Sequence, residues 1–182
     1  MIKFEKFAVK DIVFLAVITA VFLGVGMLTV PLVLSINIFG IRSLVTAPFY
    51  ALVGTVALMK VRKPGALTIA GSLYGLTLLM MSPIMLFMQI FGSFFGELIT
   101  LLIFKNYDKD IAAQTAATLY IPLTLPLSVV FSLWLTNTTF KEYIGAPAMA
   151  VSVTAGTIIL SIIGGLLGRK IGAELRKAGK LK

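Results

Sequence analysis

The 182 residues contain no cysteine and no histidine, and only seven of them are acidic. Without cysteine there is no disulfide and no thiolate metal site. Without histidine the commonest general base and metal ligand is gone, and with it any Ser-His or Cys-His nucleophile. Charge is scarce too, at 13% of residues, where soluble domains carry about 25%. What fills the chain instead is apolar: 59% hydrophobic residues and a mean hydropathy of +1.04. No P-loop and no paired carboxylates occur, so composition argues for a membrane protein and against an enzyme.

The apolar runs predict one all-α membrane domain over residues 1–182, with six spans near 12–30, 44–61, 66–81, 85–105, 111–135 and 148–168. A mixed-charge lead-in (1–11) precedes an uncleaved first span, and Pro31 ends it. The segment 31–43 is apolar but broken by Pro31, Asn37, Gly40 and Arg42, which predicts a long loop over one membrane face. Lys60, Arg62 and Lys63 with Pro64-Gly65 form a tight basic turn, and Ser82-Pro83 a very short connection. Pro122 and Pro126 should kink span five and free backbone carbonyls. Residues 136–147 form the second substantial loop. Of the 16 lysines and arginines, all but Arg42 and Lys141 fall on the side of the termini, which predicts both termini in the cytoplasm. Topology therefore explains the net charge of +9 better than nucleic acid does.

Span four, MLFMQIFGSFFGELITLLIFK, carries Gln89, Ser93 and Glu97 at i, i+4, i+8. Such spacing aligns them on one helical face as a stripe about 12 Å long, with Gly92 and Gly96 on an adjoining strip. A carboxylate within a span needs a partner or a wet cavity, so Glu97 marks either a binding pocket or a helix-packing network. With the predicted topology, Arg42, Tyr50, Ser82, Trp134 and Asn137 come to the same outer end. Together with the stripe they would line an apolar, aromatic cavity open to the exterior, with Glu97 at its floor. Tyr50 and Trp134 also suit an interfacial aromatic belt, and Arg42 a solvent-exposed loop charge. A proton-coupled carrier using Glu97 is the alternative, although a lone embedded carboxylate is a poor relay. A channel would place polar faces on several spans, and only one is polar here. Small residues recur every four positions as Ala16, Ala20 and Gly24 in the first span and as Gly164, Gly168 and Gly172 at the end of the last. Both sets suit close helix contact, within the chain or with a partner.

The sequence LAVITAVF around Ala16 and Ala20, in the first of six spans, resembles the substrate-binding S components of energy-coupling factor (ECF) transporters. KVRKPGALTIAG (60–71) and FGSFFGELI (91–99) are similar to the Trep_Strep group and the related thiamine-precursor (hydroxymethylpyrimidine) S components. The resemblance implies a non-enzymatic plasma-membrane subunit that captures a small vitamin or precursor from outside under a lid formed by the first loop. It implies docking through Ala16, Ala20 and, by extension of the face, Gly24 on a membrane T component, and release driven by two ATPase subunits. No cofactor is implied for this chain. Thiamine-precursor proteins carry a glutamate just before the step occupied here by Ala47-Pro48-Phe49-Tyr50, so a cationic aminopyrimidine would lack that partner.

Overall fold

A computed structural model describes residues 6–33, 35–36, 38–137 and 139–181, and these are helical with no strand. Asn37 of the first loop, and Lys3 and Lys182 of the charge pattern, lie outside the described residues. The helices are α1 (Val9–Thr29), α2 (Ile41–Val61), α3 (Ala66–Leu78), α4 (Pro83–Phe104), α5 (Asp110–Thr136), α6 (Phe140–Ile144) and α7 (Pro147–Lys177).

Local sequence explains the ends of these elements. Asp11, three residues into α1, accepts from the Ala8 N–H at 3.1 Å. At the other end Pro31 falls in a 3-10 turn, Val30–Val33. The first loop is shorter than the sequence predicts, because α2 begins at Ile41 and takes Arg42 and Ser43 into its first turn. Gly40 precedes it at φ +73, a left-handed conformation suited to glycine. Ser82 caps α4 by accepting from Ile84 N at 3.3 Å, with Pro83 as its first residue.

Five helices among the described residues are long and apolar enough to cross a membrane. The exception is α3, whose 13 residues rise only about 20 Å against a hydrocarbon core of about 30 Å. α7 errs the other way: its 31 residues run about 46 Å and continue past the predicted end of the span at residue 168, through Arg169 and Lys170, to Lys177. α5 stays helical through Pro122 and Pro126. Proline lacks the N–H that would bond four residues back, so Pro122 frees the Thr118 carbonyl. The buried Ser161 hydroxyl of α7 donates to that oxygen at 2.7 Å.

In the bundle α2 lies along α7 and α5, α4 lies between α3 and α5, and α1 rests on α2 and α3. The glycine series of α7 makes the α2 contact possible. A Cβ on Gly164 would strike the Pro48 carbonyl, one on Gly168 would lie 2.5 Å from the Leu52 oxygen, and one on Gly172 2.6 Å from the Met59 sulfur. That series is therefore an internal packing face. The series on α1 is not: Ala16 and Ala20 are exposed, and a Cβ on Gly24 would meet nothing within 4 Å.

Both chain ends lie at one end of the bundle. There Asp110 accepts from Arg62 at 2.5 Å and from Arg176 at 2.6 Å, and Lys63 meets Asp11 at 2.9 Å. At the opposite, loop end, Phe39 and Tyr143 pack edge to face at 5.6 Å and bring the two loops together. The two glycine positions predict opposite outcomes. Gly164→Val should destabilise the protein by about 1–3 kcal/mol through overpacking, whereas Gly24→Val should stay within about 0.5 kcal/mol, both read from thermal unfolding in detergent.

Candidate functional site

Just below the loop end the helices enclose a cavity of about 410 Å³, bounded by the ends of α1 and α3, the starts of α2 and α4, and the middle of α5. Tyr50 and Tyr74 form one wall, Met81, Met85 and Met88 another, and Gln89, Arg42 and Ser43 supply polar groups. A second chamber of about 420 Å³ lies under Ile36, residues 38–43 and α6. Arg42, Ser43, Met85, Met88 and Thr124 line both, so the two abut.

The aromatic wall is tied to the backbone. Tyr50 donates to the Phe22 carbonyl at 2.9 Å, and this leaves Tyr74 to donate to the Tyr50 oxygen at 2.6 Å. Gly26 makes room for both phenols, since a Cβ there would sit 3.0 Å from the Tyr50 hydroxyl and 3.3 Å from that of Tyr74. Phe22 packs on Tyr50 at 4.8 Å and on Tyr74 at 5.9 Å. Tyr120, itself buried, donates to Gln89 Oε1 at 2.5 Å. That bond orients the amide. Gln89 Nε2 then has no partner among the described residues, on a side chain that is 5% exposed and lines the cavity.

The polar stripe on α4 divides along its length. Gln89 lines the cavity. Ser93, fully buried, donates back to the Gln89 and Ile90 carbonyls at 2.8 and 2.9 Å and packs where a Cβ on Gly71 would collide with it. It is a packing residue between α3 and α4. Glu97 lies outside both chambers and is bound to four donors. Oε1 accepts from Gly65 N at 2.7 Å and Tyr107 OH at 3.0 Å, while Oε2 accepts from Thr68 N at 2.9 Å and Thr68 Oγ1 at 2.6 Å. Those four bonds occupy the lone-pair sites of a carboxylate. Gly65, the N-cap of α3, has no side chain with which to cap, and Glu97 does this from the neighbouring helix. The expectation of a pocket floor is corrected: Glu97 is a capping group at the terminal end. Burial, with Glu97 beside it, pushes the Tyr107 phenol well above its usual range and keeps it a donor.

Of the remaining residues singled out in the sequence, Tyr50 and Arg42 line the cavity. Arg42 is exposed and has no ion-pair partner among the described residues. Trp134 is 70% exposed and Asn137 caps α5 on the surface; neither lines a chamber, and Trp134 stands where an interfacial aromatic would. Ser82 caps α4 rather than lining the cavity. Glu142 lines the second chamber only, and the Thr139 N–H, which donates to Oε2 at 2.8 Å, holds its carboxyl below the usual range. Sequence reasoning missed Tyr74, Tyr120 and Ser43. The signal available for the tyrosines was a hydroxyl within an apolar span, where it needs a partner.

The fold is similar to that of a solved structure described as an S component of an ECF transporter, with a TM-score of 0.63 and 20% identity over 96% of this chain and 88% of that one. No curated protein matches the chain. A family model described as "Hypothetical bacterial integral membrane protein (Trep_Strep)" matches residues 8–174, and the chain belongs to that family, as a multi-pass bacterial membrane protein.

The capping geometry makes a direct prediction for Glu97→Gln. An amide nitrogen would oppose two of the four donors, so unfolding should be easier by about 1–3 kcal/mol. Small-molecule binding by the folded fraction should be unchanged, measured by thermal unfolding and by binding on the same preparation.

Proposed function

We propose that this protein is the substrate-binding subunit of an ECF-type importer, taking a small water-soluble vitamin or precursor from outside the cell. The observation that carries the proposal is the loop-end cavity, roofed by the first loop and lined by Tyr50, Gln89 and Arg42, in a chain with an S-component fold. Such a cavity, mostly apolar with a few convergent polar groups, is the form small-molecule sites take. In this reading six helices span the membrane, the short α3 included, and the terminal end faces the cytoplasm in keeping with its lysines and arginines.

The face formed by the exposed Ala16 and Ala20 and the half-buried Gly24 supports docking on a T component, because none of the described residues covers it. Two ATPase subunits would then supply the energy, which fits a chain with no nucleotide motif. A proton-coupled carrier would need Glu97 free to exchange protons with cargo or water. Its four hydrogen bonds and its position outside both chambers weigh against that role.

Two measurements test the proposal. Small molecules released from the purified, denatured protein and identified by mass spectrometry should include one that Met88→Trp, which fills the cavity, no longer retains. Ala16→Trp combined with Ala20→Trp should abolish assembly with the T component and ATPases while that molecule is still bound. Retention by Met88→Trp would refute the site, and assembly of the double variant would refute the docking face.

A further inference from the structure

The chemistry left unpaired inside the cavity narrows what it can hold. All its hydroxyl protons but that of Ser43 are already committed: Thr46 donates to the Arg42 carbonyl at 2.9 Å, Thr124 to that of Ile121 at 2.7 Å, and the two tyrosines run in series to Phe22. The donors that remain are Gln89 Nε2, the Ser43 hydroxyl and the Arg42 guanidinium. Arg42 is the one charged side chain lining the inner cavity, and no carboxylate lines it. A cation drawn in would shed water, meet no anion and approach a like charge. An acceptor would meet an unsatisfied amide N–H.

The orientation of that amide is enforced. If Gln89 were flipped, the buried Tyr120 hydroxyl would lose the acceptor for its proton. Flat, adaptable walls complete the chamber: Met27, Met81, Met85 and Met88 line it together with the Tyr50 and Tyr74 rings, and thioethers adapt well to an aromatic guest.

We infer that the cavity selects a flat, largely apolar molecule, neutral or anionic, that presents a hydrogen-bond acceptor to Gln89 and turns any negative charge toward Arg42. The inference rests on the cavity being the substrate site. Among the described residues the carboxylate lining the outer chamber is that of Glu142, where one oxygen is held by Thr139.

Three probes sharing one ring but differing in charge test it: indole-3-acetate, indole-3-acetamide and tryptamine, titrated against the purified protein in nanodiscs. The acid and the amide should bind at least about tenfold more tightly than the amine. Gln89→Glu should reverse that order, and Arg42→Gln, at the solvent-exposed mouth, should remove the preference for the acid over the amide without affecting the fold. Tyr120→Phe should narrow the gap between amide and amine by letting the Gln89 amide turn. Tryptamine binding as tightly as the acid, or an order unchanged in both Gln89→Glu and Arg42→Gln, would overturn the inference. So would failure of all three probes to bind while Met88→Trp loses its co-purified molecule, and in that case the site itself stands. If Met88→Trp keeps that molecule, the site reading fails instead.

Discussion

The four hydrogen bonds on Glu97 are the constraint on which the packing of α3 in the bundle depends. α3 is too short to be placed by the bilayer, and its first turn follows a Pro-Gly step with no capping side chain. Glu97 ties that turn to α4, and Tyr107 reaches in from the following loop to the same carboxylate. With α3 held at its foot, Gly71 seats on Ser93, and Tyr74, about two and a half turns further along, lies opposite Tyr50. One stripe of polar residues thus changes role along its length, from anchor to packing contact to cavity-lining amide.

The two ends of the bundle are built differently. The terminal end is fastened by charge, with Asp110 shared between Arg62 and Arg176 and a left-handed Arg62 also donating to the Asp108 carbonyl at 2.7 Å. These pairs are partly exposed, so each adds little by itself, but together they join α2, α5, α7 and the 105–109 turn. The loop end is held by apolar contacts such as Phe39 on Tyr143, and it encloses two adjoining chambers.

Much of this was legible in the chain. The first, second, fourth, fifth and last apolar runs became long helices, and the two motifs KVRKPGALTIAG and FGSFFGELI proved to touch, with Glu97 of one capping Gly65 of the other. Two series of small residues with the same four-residue spacing had opposite fates: Gly164, Gly168 and Gly172 are buried against α2, while Ala16 and Ala20 face outward. Spacing describes a face and carries no information about what covers it.

The sequence by itself determined an all-helical membrane protein, the spacing that puts Gln89, Ser93 and Glu97 on one face, and the grouping of charge at the chain ends, because hydropathy and helical periodicity are local properties. Only the tertiary structure decided that Glu97 serves the neighbouring helix, that Tyr74 and Tyr120 join the site and that Trp134 does not. Each of those outcomes depends on which backbone donor or ring lies within about 3–6 Å across a helix interface, and such distances between residues far apart in the chain are set by packing.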